Sequence, residues 1–457
     1  MLTDKLTFPA EQGESFFASL PPSPAVFLLR GDGEPYVSKT ANLRRRLERL
    51  LGVPKEQSKR LNLRDRVREI EYTLTGSDFE SQFLIYQLLR LSFPKTYASR
   101  LRLRPAPLIK LHLENEYPRA SVTTRLGRVS RPVGQGDKED KEIECHSERD
   151  SSASTASAGT LSRNLFFDAP KQQVSRLSSM VPETNHPAPL EMTDVNRKRQ
   201  KQANLYFGPF QSRAAAEKFS NDVLDFFKMR RCVEDLHPNP AFPGCVYSEM
   251  KMCLAPCFKG CTDAEYHAEV SRVQDFFASA GDSLARDLGA SRDRASAELA
   301  FEEAAAVHAR MEKLKPVLSQ CPEIVRRIDQ LDALIVQSSA SAGAVALFRF
   351  SAAILAGPVV FKIERREQSR SMESEIAEII ASFPDPSADS VTQCVEHLAI
   401  LKRWYYRSTR VGEIFFADEK GNWPMRRIVR GIGRVARGEK PQEPATFSAS
   451  QDAAQPS

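Results

Sequence analysis

Five of the eight cysteines in this 457-residue chain fall within one short run, from Cys232 to Cys261. Cys232, Cys245, Cys253 and Cys257 are spaced C-x12-C-x7-C-x3-C, and Pro238, Pro240, Pro243, Gly244 and Pro256 break the run into turns. Buried free cysteines scatter among apolar positions, whereas thiols gathered by turns suit a soft metal or an iron-sulfur cluster. Pro256 lies between Cys253 and Cys257, where its ring would clash with a preceding helical turn, so a loop is expected there. Zinc sites commonly use pairs of tight knuckles, and only Cys253 and Cys257 are tightly spaced here. Disulfides need an oxidising compartment, and the N-terminus MLTDKLTFPA lacks the charged-then-apolar pattern of a signal peptide. Four thiolates around a four-iron cluster form the preferred set, zinc is the alternative, and Cys261 is a spare or alternative ligand.

A chain of this length, 41% hydrophobic and 27% charged, can build several compact cores. Its mean hydropathy of -0.41 and the lack of an uninterrupted apolar run near membrane-spanning length predict no membrane span and a cytoplasmic location. The net charge of +6 is unevenly spread: residues 1–110 carry 19 Lys+Arg against 12 Asp+Glu. That segment is the expected face for a polyanion, a solvated basic surface being the alternative.

Residues 24–50 read as two short strands joined by a turn at Gly31, Asp32 and Gly33, then a basic helix. Leu43, Leu47 and Leu50 mark its inner face, leaving Arg44, Arg45 and Arg49 as candidate DNA-binding residues. GSDFESQFLIYQLLRLSFPKTY reads as a helix capped by Ser77 or Asp78. Residues 106–125 alternate like two strands around a Tyr117-Pro118 turn. Residues 126–203 lack hydrophobic periodicity and are expected to be a disordered insertion, with Cys145 incidental. After a helix over 263–280, residues 281–320 form an amphipathic helix pair with Leu284, Leu288, Ala295, Leu299, Ala306 and Leu314 along its stripe. Residues 321–440 read as a small α/β unit, with strands at LDALIVQ, AVALFRF, PVVFKIE and GEIFFAD. It ends in a helix bearing Arg426, Arg427, Arg430, Arg434 and Arg437, and residues 441–457 are expected to be a disordered tail.

The phrases NLYFGPFQSRAAAEKFSNDVLDFFKMRRC and MCLAPCFKGCTDAEY resemble the middle region of the C subunit of the bacterial UvrABC excinuclease. The resemblance implies a 4Fe-4S cluster on Cys232, Cys245, Cys253 and Cys257. The first strands resemble that subunit's GIY-YIG nuclease domain: Pro24, Ala25, Val26 and Phe27 align with P-G-V-Y. Tyr36, Val37, Ser38 and Lys39 align with Y-I/V-G-K, and Asn42 through Arg46 with N-L-R-x-R. It implies catalytic roles for Tyr36, Lys39 and Arg46, and a magnesium ion if the nuclease is active. Phe27 replaces a tyrosine, and Ser38 replaces a glycine that allows close backbone approach. With Glu80 and Pro94 in register, the family's metal-binding glutamate falls on Ile85 and its asparagine on Gln87. Magnesium is held through carboxylates, so a weak or inactive nuclease is expected.

Residues 106–125 are similar to the family's link between strands, where only a short hairpin loop precedes the Y-F-G-P-F turn. The run from Ala295 to Arg310 looks like the UVR motif, which implies that Leu299, Phe301, Glu302 and Ala305 bind a UvrB-like helicase subunit. His308 stands where that motif usually has arginine. The subunit's RNase-H-like and helix-hairpin-helix modules have no evident counterpart. The expected fold is multidomain α/β and α: a GIY-YIG-like α/β domain over 1–105, connecting strands over 106–125, and a Cys-cluster domain over 204–280. A UVR-type helical hairpin over 281–320 and a small C-terminal α/β unit over 321–440 follow. The expected function is nucleotide-excision repair, through binding DNA and a UvrB-like partner with a degenerate nuclease site. An active endonuclease making the 3'-side incision, and an Fe-S or zinc regulatory DNA-binding protein outside repair, are the alternatives.

Overall fold

The computed structural model describes residues 2–9, 14–53, 61–127, 203–363, 371–385, 390–418 and 420–439. Cys145, all but the ends of the 126–203 segment, and the 441–457 tail lie outside them, and with them the expectations of disorder. The elements are β1 (Asp4–Thr7), α1 (Glu14–Ser19), β2 (Ala25–Gly31), β3 (Tyr36–Thr40), α2 (Leu43–Leu51), β4 (Val67–Leu74), α3 (Asp78–Ser92), α4 (Tyr97–Leu101), β5 (Leu108–Leu111), β6 (Ala120–Thr123), β7 (Leu205–Gly208), α5 (Arg213–Leu224) and α6 (Val246–Glu249). Beyond the cysteine run come α7 (Asp263–Ala278), α8 (Asp282–Ala297), α9 (Phe301–Ser319), β8 (Arg326–Arg327), β9 (Asp332–Ser338), β10 (Ala344–Ser351), β11 (Ile354–Lys362), α10 (Met372–Ser382), α11 (Val391–Tyr405), β12 (Glu413–Phe416) and α12 (Met425–Ala436). Mixed helices and antiparallel sheets make this an α/β architecture. All of these elements belong to one compact unit.

The first sheet has the order β1-β4-β2-β3 and is antiparallel throughout. Asn42 caps α2 by accepting from the Arg45 N–H at 2.9 Å. The helix then buries Leu43, Leu47, Leu50 and Leu51 against Phe27, Leu29 and Ile70. Each such leucine stabilises the fold by roughly 1.5–3 kcal/mol.

Helix α3 starts as its sequence requires, with the Ser77 hydroxyl accepting from the Glu80 N–H at 3.1 Å. Its buried face does not serve the first sheet alone. Phe79 packs on Phe348 and Trp404, both at 5.1 Å between ring centroids. Tyr86 donates to Glu396 at 2.9 Å. Apolar residues recur on more than one side of α3, so it serves two neighbours at once, the first sheet and the C-terminal unit.

The second sheet has the order β6-β5-β7-β8. Lys110 pairs with both Ser121 of β6 and Tyr206 of β7, so β6 and β7 flank β5 on opposite edges. The two strands that bracket residues 128–202 in sequence are therefore not hairpin neighbours, in contrast to the short hairpin that the family resemblance implies. Strand β8, from far downstream, closes the edge by pairing with β7.

The third sheet, β11-β10-β9-β12, realises the C-terminal α/β reading. Alternation along β9 sends Ala333 and Ile335 to the large core with α11, and Leu334 and Val336 to a separate core with α10 and α12. Helices α8 and α9 form the expected hairpin, burying Leu284, Leu288, Ala295 and Leu314. Leu299 and Ala306 do not join that stripe: both are exposed, and Leu299 sits in the turn with φ 58°. Among the described residues no helix is long and apolar enough to cross a membrane.

His397 on α11 is buried, with its Nδ1 accepting from the Leu355 N–H at 3.0 Å. Burial, and secondarily the Arg90 charge, lower its pKa to about 4. The native state therefore favours neutral imidazole, while the unfolded chain takes up a proton at its ordinary value. Stability from this group is complete above about pH 6.5 and is lost as pH falls towards 4. Chemical denaturation at pH 7 and pH 4.5 should show an acid loss of up to ~3 kcal/mol that His397→Gln removes in part.

Candidate functional site

The cysteine run is an irregular loop, as its prolines require. Cys245 precedes the short helix α6, where the Ser248 hydroxyl donates to the Cys245 carbonyl at 2.6 Å. Pro256 opens a 3-10 turn over Pro256–Phe258, so Cys253 precedes the bend and Cys257 lies within it. Lys251, Ala255 and Lys259 adopt left-handed φ of 56°, 56° and 60°. Three non-glycine residues in that region within nine positions make this a strained wrap.

All seven cysteines among the described residues are free thiols. Burial pushes the Cys253 thiol up to about 11; charge on Cys232, Cys257 and Cys245 acts in the same direction, against a hydrogen bond from the Ala255 N–H. Those four sulfurs thus share one electrostatic neighbourhood. Cys261 is pushed up by burial and then by Glu265 and Asp263, with Cys257 as the one contributing cysteine. Among the described residues no three His, Cys, Asp or Glu side chains are drawn into a metal-holding group. The residues expected as ligands are all cysteines, the donor chemistry that a thiophilic metal such as iron or zinc takes.

Sequence reasoning missed what anchors this loop. Arg230 is 2% exposed and donates from Nε to the Tyr117 carbonyl at 2.9 Å. Its Nη1 donates to the Glu234 carbonyl at 2.8 Å and to Cys232 Sγ at 3.4 Å. Its backbone N–H donates to the Tyr266 hydroxyl, which in turn donates to the Pro118 carbonyl at 2.7 Å. The loop is therefore stitched to the β5–β6 turn and to α7. The arginine two residues before the first cysteine was the available signal.

Tyr36, Lys39 and Arg46, expected from the sequence as catalytic residues, are split between two faces of the first sheet. Arg46 donates to the Tyr36 hydroxyl at 2.8 Å, and the buried Phe27 ring lies 6.1 Å from the Tyr36 ring. Lys39, three residues along β3, points to the α3 side and donates to Asp78 at 2.7 Å and Gln82 at 3.2 Å. Asp78 also accepts from Arg407 of the C-terminal unit at 2.6 Å. Burial alone would raise the Asp78 carboxyl, but Lys39 and Arg407 bring it below the usual carboxylate range. Ile85 is half-buried and packs against the large core. Glu80 is buried and accepts from the Gly76 N–H at 2.8 Å, a helix-capping role; burial raises its carboxyl. Gln87 is exposed.

Of the basic helix residues, Arg45 and Arg49 are exposed, whereas Arg44 is half-buried and donates to the Leu20 carbonyl at 2.7 Å. On α12, Ile428, Ile432 and Val435 enter the core and leave Arg426, Arg427 and Arg430 exposed. Arg434 instead pairs with Glu413 through two bonds of 2.7 and 2.6 Å. At the tip of the α8–α9 hairpin, Leu299 is 71% and Phe301 66% exposed, with Glu302 and Ala305 exposed beside them. His308 lies 4.0 Å from Glu312.

Residues 183–276, which contain all five clustered cysteines, the anchoring Arg230 and most of α7, match the family model described as "UvrC/Cho excinuclease, middle domain". Over this middle region the chain is UvrC-like. Over 190 residues it is 26% identical to the UvrABC system protein C of Nitrobacter winogradskyi, covering 42% of this chain and 27% of that protein. It is 27% identical over 230 residues to the protein of that name from Stenotrophomonas maltophilia, covering 47% and 37%. With that from Lactiplantibacillus plantarum it shares 34% over 105 residues, covering 23% and 17%. The chain thus spans well under half the length of the curated relatives it matches. No solved structure matches it.

Proposed function

We propose that this chain is a UvrC-like nucleotide-excision-repair protein that binds DNA and a UvrB-like helicase subunit, with a degenerate GIY-YIG-type nuclease site. The observation that carries this reading is the match of residues 183–276 to the excinuclease middle domain, which spans the whole cysteine loop. On this reading Cys232, Cys245, Cys253 and Cys257 hold a 4Fe-4S cluster, with zinc as the alternative. The bound metal would supply cross-links that hold the strained loop. Arg45 and Arg49 meet phosphates, and the apolar tip of Leu299 and Phe301 with Glu302 and Ala305 meets the helicase subunit.

Support for a degenerate nuclease comes from the groups around α3. Hydrolysis needs a carboxylate to hold magnesium, a cation over the scissile phosphate, and an oxygen to position water. Ile85 supplies no carboxylate. Asp78, one face-repeat earlier on α3, is held by Lys39 and Arg407, and Glu80 caps the helix start. Tyr36 and Arg46 remain paired, so the phosphate-side half of the site is kept.

A damaged duplex, a UvrB-type helicase and magnesium or manganese test this together. The chain should bind the DNA with marked salt dependence and bind the helicase, without nicking the duplex. The double variant Leu299→Asp, Phe301→Asp should weaken helicase binding at least about tenfold with little change in melting temperature, since both side chains are solvent-exposed. Robust cutting lost on Arg46→Ala would instead establish an active 3'-side endonuclease. DNA binding without any helicase binding would favour a regulatory protein outside repair.

A further inference from the structure

Arg230 presents an unusual charge balance. Arginine stays protonated in proteins, and a guanidinium removed from water needs an opposite charge or it weakens the fold. At 2% exposure Arg230 has bonds to two carbonyls and a sulfur, and no carboxylate pairs with it among the described residues. Arg119, half-buried at the end of the β5–β6 turn, lies near enough for the two like charges to oppose each other, with Asp235 and Cys232 acting on Arg119 in the opposite sense. Asp235 itself is exposed. Arg230 thus touches the Cys232 sulfur directly, and Arg119 acts on the same cysteine through its charge.

We infer that Arg230 is the counter-charge and positioning residue of a thiolate-bound metal centre on Cys232, Cys245, Cys253 and Cys257, with Arg119 adding a second positive charge. Four thiolates around a divalent ion or a four-iron core leave a net charge of about -2, which matches two nearby guanidiniums. The Nη1 bond to Cys232 Sγ fixes that ligand, and the Nε bond to Tyr117 holds it against the β5–β6 turn. Groups of this kind, bonded to a ligand rather than to the metal, set ligand orientation and metal retention. The inference rests on the reading that the four cysteines bind a metal.

The test uses full-length protein purified anaerobically, with metal content, visible absorbance and the rate of metal loss to a chelator as readouts, and the midpoint potential if iron is bound. Arg230→Met should lose metal about tenfold faster than wild type or more, and Arg230→Lys, which keeps the charge without the fork, should fall between. Arg119→Met should shift retention in the same direction by less; its side chain makes no hydrogen bond among the described residues, so it carries the test if Arg230→Met fails to fold. For an iron cluster both neutral variants should also lower the midpoint potential. Arg231→Met is the control, because Arg231 pairs with Asp225 at 2.7 Å rather than with a sulfur. Metal-loaded wild type with unchanged retention in the Arg230 and Arg119 variants overturns the counter-charge role alone. Wild type that carries no metal overturns the ligand reading and this inference with it.

Discussion

Truncating Phe348 to alanine should cost about 3–5 kcal/mol of folding stability, read from the midpoint of urea unfolding. Phe348 is fully buried on β10, where its ring meets Phe79 edge-on at 5.1 Å and Phe83 at 6.2 Å. Its cross-strand partner is Ile335 on β9. The lost side chain would leave a cavity between α3 and the third sheet, and the surrounding rings are fixed by their own neighbours, so little of it can close. The comparison is Val360→Ala on β11, 48% exposed, which should change stability by no more than about 0.5 kcal/mol. A cost below about 1 kcal/mol for Phe348→Ala would mean that α3 is not anchored to the C-terminal unit as described.

On the proposed reading that Cys232, Cys245, Cys253 and Cys257 hold a metal, replacing Cys253 by alanine should abolish metal binding and open the 232–261 loop to proteolysis. Lys251, Ala255 and Lys259 each hold a conformation that costs on the order of 1 kcal/mol, and three such residues persist only if something fixes them together. Metal–thiolate binding is of order 10 kcal/mol in small structural sites, ample to offset that strain. Cys261→Ala should leave the metal in place, because Cys261 faces Asp263 and Glu265 and shares charge with Cys257 alone among the cysteines. Metal retained in Cys253→Ala and lost in Cys261→Ala would reverse the ligand assignment.

Much of the local structure was written into the sequence. Proline at 256 dictated a loop, Ser77 dictated the start of α3, and the apolar runs LDALIVQ and AVALFRF marked β9 and β10. Long-range pairing was not legible: β1 and β4 carry no turn signal tying them together across more than sixty residues, and β8 contributes two residues to a sheet begun far upstream. The stripe drawn through Leu299 failed because the helix ends at Ala297, and a period cannot show where a chain reverses. At the sites, residue types marked out the run of cysteines and an aliphatic residue at Ile85. The charges that complete them, Arg230 beside Cys232 and Arg407 beside Asp78, come from positions whose proximity only the fold creates.

Helix α3 is a beam resting on two walls. One side lies along the first sheet, and Phe79, Phe83 and Tyr86 are set into the C-terminal unit. Cutting the chain after residue 105 would leave those rings facing water, so the N-terminal segment is not a detachable module. The same anchoring means that α3 is held in place by packing at both walls, independently of any chemistry beside it.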